Sequence, residues 1–274
     1  MAGHLVAAGH EVVVWNRTAS KAAPLAEKGA RIAPDLETLG AECRIVFLCV
    51  NRTEDVRACL SALTARSQPD TLFVDHSTIA PKASLEIEQE LRLAGFQFVD
   101  APITGGSMGA QKGQLTIFCG GSEDAVAEAM PYLQAYAKRA ERVGGPGSGQ
   151  MMKMANQIAV GGALLALCES MSFAAKAGLD LAQTRQLLGG GAAGSWAFEN
   201  YGQRILTSDW TPGFSIKNQL KDFEYCAQAA RDIDAAIPGT HLVDELLHHS
   251  AAAGMDEFTT VALYQTMMEM GAGG

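Results

Sequence analysis

Five short apolar runs alternate with segments of helical periodicity through the first half of this 274-residue chain, and that alternation constrains the fold more than any single motif. The runs occupy residues 11–15, 45–50, 71–75, 96–100 and 115–120. Between them, residues 19–28, 53–65 and 81–94 carry apolar side chains at three- and four-residue spacing. A strand that rejoins its sheet in parallel needs a crossover of a dozen or more residues, and a helix supplies one while burying its own apolar stripe. The pattern predicts a doubly wound α/β domain with parallel pairing and helices on both faces of the sheet.

The rhythm stops at GGPGSG, residues 144–149. Beyond it Ala, Leu, Met and Gln dominate, and helices are expected at residues 151–177, 181–188, 217–231 and 239–253, with no strand. The chain is therefore divided into an α/β domain, residues 1–147, and an all-α domain, residues 148–274. GGGAAGS at residues 189–195 is read as a flexible connection.

Composition narrows the classes. With 48% hydrophobic and 19% charged residues the chain is globular rather than disordered. A net charge of −9 disfavours nucleic acid or an anionic membrane as a partner, and the chain is expected to hold no long uncharged apolar run that could span a bilayer. The cysteines Cys43, Cys49, Cys59, Cys119, Cys168 and Cys226 have no metal-ligand spacing and are read as mostly buried free thiols of a reducing, cytoplasmic protein.

Four stretches carry candidate chemistry. VVVWNRT, residues 12–18, ends a strand where a doubly wound fold receives the adenosine ribose of a dinucleotide. An acid there selects NAD, whereas Arg17, flanked by Asn16 and Thr18, suits a 2′-phosphate by charge and fork geometry, so NADP is favoured over NAD. DAPITGGSMGAQKGQLTIFCGG, residues 100–121, is read as a glycine-rich loop whose backbone amides and hydroxyls receive a small carboxylate. In GPGSGQMMKMANQ, residues 145–157, a helix starting near Ser148 puts Lys153, Asn156 and Gln157 on one face. Methionines flank Lys153, and a partly apolar setting moves a lysine towards acid–base use. FSIKNQLKDFEYCAQAA, residues 214–230, adds Lys217, Lys221 and Asp222 on another helix.

With these stretches in this order, and with DHSTI at residues 75–79, the sequence resembles the β-hydroxyacid dehydrogenase family over nearly its whole length. That family includes 3-hydroxyisobutyrate dehydrogenases and the reductases of tartronate, glyoxylate and succinic semialdehydes. The resemblance implies a Rossmann-type domain followed by a helical one, with the active site in the cleft between them. It implies Lys153 as the catalytic acid–base residue and Thr104, Gly105 and Gly106 as holders of the substrate carboxylate. Asn156, Gln157 and Asp222 join the substrate side, while Cys49, Val50, Thr78 and Lys221 join Asn16, Arg17 and Thr18 on the cofactor side.

Two departures stand out. The family places two asparagines after the lysine, and here Asn156 is followed by Gln157, one methylene longer. Family members also begin with a strand and a G-x-G-x-x-G turn that this sequence lacks, so Met1 is expected to correspond to an internal methionine. The expected activity is hydride transfer between a nicotinamide and a small β-hydroxy acid or its semialdehyde, in a homodimer or homotetramer and without a metal. The alternatives are a catalytically silent relative serving as an oligomerisation or scaffold module, and an imine reductase of similar architecture. Lys153, Asn156, Lys221 and the glycine-rich stretch argue against the silent relative, and Lys153 suits an alcohol dehydrogenase better than an imine reductase.

Overall fold

Leu72, Phe73 and Val74 are completely buried, as they must be in a strand covered on both faces. They belong to the first of two units, Met1–Lys153 and Met154–Gly274, in a computed structural model that describes residues 1–270. In chain order this unit contains α1 (Ala2–Ala7), β1 (Val13–Val14), α2 (Ala23–Ala26), β2 (Arg31–Ile32), α3 (Leu36–Glu42) and β3 (Ile45–Leu48). There follow α4 (Thr53–Thr64), β4 (Leu72–Asp75), α5 (Pro81–Leu93), β5 (Gln97–Asp100), β6 (Ile103–Thr104) and α6 (Gly106–Lys112). The unit continues through β7 (Leu115–Gly120), α7 (Glu123–Leu133) and β8 (Ala137–Gly144), and the division between units falls within α8 (Ser148–Lys176).

β3, β4 and β5 run parallel, in a register that places Leu48, Asp75 and Asp100 in one row at their carboxyl ends. Side chains alternate between two cores. Val74 and Val99 pack with Leu5 of α1 and with Ala125, Ala129 and Leu133 of α7. Phe73 and Phe98 pack with Val56, Leu60 and Leu63 of α4 and with Ile87 and Leu91 of α5. Burying each such Leu or Phe contributes about 2 kcal/mol, so the two apolar faces drive formation of the sheet.

The structure departs from the expected pattern in four places. Pairing is not parallel throughout: β5 and β6 both lie antiparallel to β7, through Asp100↔Gly120 and Ile103↔Ile117. Ala101 and Pro102 interrupt what would otherwise be one strand, because proline has no N–H for the ladder. The glycine-rich stretch is also not all loop, since residues after Gly105 form α6. β8 is an additional strand, paired with β7; its exposed Lys138, Arg139, Glu141 and Arg142 leave no apolar run in the sequence, and such charge suits a sheet edge. β1 and β2 pair in parallel as a separate two-stranded sheet and are not joined to the sheet that contains β3.

The second unit holds the remainder of α8 with α9 (Leu181–Gly189), α10 (Trp196–Asn200), α11 (Gly202–Leu206), α12 (Ile216–Asp232), α13 (Pro238–Ser250) and α14 (Leu263–Met270). Leu164, Leu167, Cys168, Met171 and Ala174 form the buried stripe of α8. Contrary to the expectation that no run could span a bilayer, α8 is, among the described residues, the one helix long and apolar enough to cross a membrane, by length and composition alone. A side chain at Gly161 would come within 2.6 Å of the Phe223 ring, so glycine permits α12 to lie against α8. All six cysteines are free, but fewer are buried than expected: Cys119, Cys168 and Cys226 are buried, Cys43 and Cys59 half-buried, and Cys49 exposed.

One polar network lies inside the first unit. His76 follows β4, and its Nδ1–H donates to the Ala101 carbonyl at 2.6 Å. That leaves Nε2 as acceptor for the Tyr136 hydroxyl at 2.7 Å, while Phe47 stacks on the ring at 5.8 Å. Burial lowers the His76 pKa from 6.5 to about 4, so the ring stays neutral at ordinary pH. Its contribution to stability is therefore full above pH 6.5 and is lost as pH falls through about 4. His76→Gln should cost about 2 kcal/mol at pH 8, and the deficit relative to wild type should narrow between pH 6.5 and 4 in denaturant titrations.

Candidate active site

The carboxyl ends of parallel strands are where an open α/β sheet presents its loops to ligands, and the expected cofactor residues of the first unit follow three such ends. After β1, Asn16 Oδ1 accepts the Thr18 amide at 2.9 Å, turning the chain and leaving Arg17 on the surface. After β3 come exposed Cys49 and half-buried Val50, and after β4 comes half-buried Thr78. The Val50 amide donates to Ser77 Oγ at 2.9 Å, and the Ser77 amide to Asp75 Oδ1 at 2.9 Å, so the last two loops are fastened together. The internal hydrogen bonds fix the backbone of these strand ends, and the surface guanidinium of Arg17 is of a chemistry that fits a dinucleotide phosphate.

The expected carboxylate-binding residues lie after β5. Thr104 pairs with Thr116 in the sheet, and Gly105 and Gly106 follow with φ of +123° and +63°. Glycine reaches those angles without the steric cost of a Cβ, and the turn they make opens α6. Lys153, despite its charge, is only 6% exposed, and its Nζ donates to the Ile103 carbonyl at 2.9 Å. The ammonium is thus held beside the residue preceding Thr104.

Sequence reasoning missed what holds these pieces in place. Gln150 Nε2 donates to the Ser77 carbonyl at 2.8 Å and its Oε1 accepts the Ile79 amide at 3.2 Å, joining α8 to the segment after β4. Asp100 accepts the amides of Gly147 at 2.8 Å and Gln150 at 2.8 Å. The one signal available was a polar residue, Asp100, ending an otherwise apolar run.

In the second unit Asn156 Nδ2 donates to Gln157 Oε1 at 2.8 Å, and Gln157 Nε2 donates to Asp222 Oδ2 at 2.7 Å. Lys221 Nζ lies 3.0 Å from Asp222 Oδ1 and 5.5 Å from the centre of the Tyr225 ring. Four of the expected residues, Asn156, Gln157, Lys221 and Asp222, therefore form one largely buried polar cluster. Lys217, by contrast, pairs with Glu257 on the surface.

Comparison with known proteins identifies the family. A family model described as the NAD binding domain of 6-phosphogluconate dehydrogenase matches residues 1–145. A second, described as NAD-binding of NADP-dependent 3-hydroxyisobutyrate dehydrogenase, matches residues 147–267. The chain is 36% identical to a probable 3-hydroxyisobutyrate dehydrogenase-like 1, mitochondrial, of Arabidopsis thaliana, over 96% of this chain and 80% of that one. It is 33% identical to the 2-hydroxy-3-oxopropionate reductase of Escherichia coli (strain K12), over 97% of this chain and 92% of that one. A solved 3-hydroxyisobutyrate dehydrogenase of Salmonella typhimurium superposes with a TM-score of 0.90 at 25% identity, covering 96% of this chain and 94% of that one.

Gln157→Leu removes a buried donor to a carboxylate. It should destabilise the protein by about 2 kcal/mol, and Gln157→Asn by less, as measured by chemical denaturation.

Proposed function

The chain belongs to the β-hydroxyacid dehydrogenase family of nicotinamide-dependent oxidoreductases, and on that premise we propose that it interconverts a small β-hydroxy acid and its semialdehyde with Lys153 as the acid–base group. The observation that carries this reading is the buried Lys153 ammonium, fixed 2.9 Å from the Ile103 carbonyl beside a turn suited to a carboxylate. A bound nicotinamide supplies the hydride for reduction or accepts the one released in oxidation.

The chain's own residues do the rest. Amides of Gly105 and Gly106, with the Thr104 hydroxyl, hold the substrate carboxylate and so orient the carbon that reacts. In reduction Lys153 Nζ gives a proton to the carbonyl oxygen as negative charge develops there. In oxidation the neutral amine removes the hydroxyl proton. Burial of Lys153 keeps bulk water from competing for that proton. Asn156, Gln157 and Asp222 are proposed as further substrate contacts, and Cys49, Val50, Thr78 and Lys221 as contacts to the cofactor. Substrates resembling 3-hydroxyisobutyrate, 2-hydroxy-3-oxopropionate or succinic semialdehyde fit this chemistry, each having a carboxylate near an alcohol or aldehyde.

We also propose NADP as the preferred cofactor. Support comes from Arg17, a surface guanidinium after β1 where an acid would select NAD, and from the NADP-dependent description of the second matching family.

Lys153→Ala should lower kcat about a thousandfold in steady-state assays while NADPH still binds. Retention of turnover would show that another group moves the proton. Arg17→Glu should weaken NADPH binding at least about tenfold relative to NADH in fluorescence titrations, since a charge-assisted contact to phosphate becomes a repulsion.

A further inference from the structure

The start of α8 and the segment after β5 face each other in the same three-residue step. Asp100 and Ile103 stand on one side, Gln150 and Lys153 on the other. Asp100 Oδ2 accepts the Gln150 amide at 2.8 Å, and the Ile103 carbonyl accepts Lys153 Nζ at 2.9 Å. These are two rungs of a ladder. Asp100 Oδ1 extends the first rung by accepting the Gly147 amide at 2.8 Å. From this geometry we infer that Asp100 is the positioning residue for Lys153, fixing the first turn of α8 so that the ammonium is delivered beside Thr104.

Three observations support the inference, which rests on the reading of Lys153 as the acid–base group. The first is electrostatic: the amides opening a helix lack intrahelical acceptors and carry partial positive charge, so a carboxylate aimed at them fixes the helix end in place. The second is steric. A Cβ on Gly149 would collide with the Asp100 carbonyl, and one on Gly120 would collide with the Asp100 carboxylate. The helix start is therefore seated as closely on β5 and β7 as glycine allows.

The third is desolvation. Burial raises Asp100 from 3.8 to about 7, the Asp75 carboxylate on neighbouring β4 acts in the same direction, and the Gln150 and Gly147 amides oppose both. Cys119 of β7 is the other titratable neighbour, and its thiol is held protonated by burial and by Asp100 itself. Burial outweighs the two amides, and their hydrogen bonds are what keep the value from rising further. Gln150 then carries the same constraint to Ser77 and Ile79, so one carboxylate organises both the lysine and the segment containing Thr78.

The inference is tested without turnover. The full-length wild type and Asp100→Asn are pulsed with acetic anhydride, and each lysine is read by peptide mass spectrometry. An asparagine would have to point its NH2 at one of the two amides, breaking a rung. Lys153 should then be acetylated about fivefold faster, while Lys221, equally buried at 6% but in the other unit, keeps its wild-type rate. An unchanged rate at Lys153 overturns the inference. So does an equal rise at Lys221, which means general loosening of the fold.

Asp100→Glu keeps the charge and lengthens the side chain, so it should label Lys153 at an intermediate rate. If the asparagine variant does not fold, the glutamate variant decides: a rise of about twofold at Lys153 alone supports the inference, and a wild-type rate overturns it. Lys153→Ala with NADPH and 2-hydroxy-3-oxopropionate tests the acid–base reading separately. Retained turnover there, with labelling as expected, would remove the catalytic role and leave the ladder standing.

Discussion

The seat of the first turn of α8 on the strand ends depends on one buried carboxyl group. Asp100 closes β5, lies in register with Asp75 of β4, and receives the amides of Gly147 and Gln150. A buried carboxyl group needs hydrogen-bond partners, and the opening turn of a helix offers amides that need an acceptor. Each solves the other's problem, and the glycines at 120 and 149 let them meet.

Polar groups elsewhere in the first unit follow the same logic. β3, β4 and β5 are covered by helices on both faces, so polar side chains at their carboxyl ends can only be satisfied by one another or by the following segments. Asp75 receives the Ser77 amide, Ser77 receives the Val50 amide, and His76 bridges Ala101 and Tyr136. The segments after β3, β4 and β5 are thus tied to one another and to the first turn of α8 by hydrogen bonds. Binding then begins from a geometry already set, which limits the ordering cost of association.

The helical unit solves a related problem differently. Gln157, Asp222 and Lys221 are buried together, and the additional methylene of Gln157 reaches the Asp222 carboxylate at 2.7 Å. Both ends of the Gln157 amide are therefore bonded, Oε1 to Asn156 and Nε2 to a carboxylate.

The sequence alone determined which segments form strands and helices wherever apolar periodicity was strong, because burial of an apolar stripe depends on local spacing. It carried α8, α12, β4 and β7 with nearly their observed limits. It also marked Lys153, Arg17 and the Gly105–Gly106 turn, since charge in an apolar context and paired glycines are visible residue by residue. Only the tertiary structure decided the antiparallel pairing of β5 and β6 with β7, the charged edge strand β8, and the helix following Gly105. It alone disclosed Asp100, Gln150 and His76 as residues that fasten the strand-end segments to one another. Their partners lie 25 to 73 positions away, and a hydrogen bond across such a separation leaves no periodic trace in the chain.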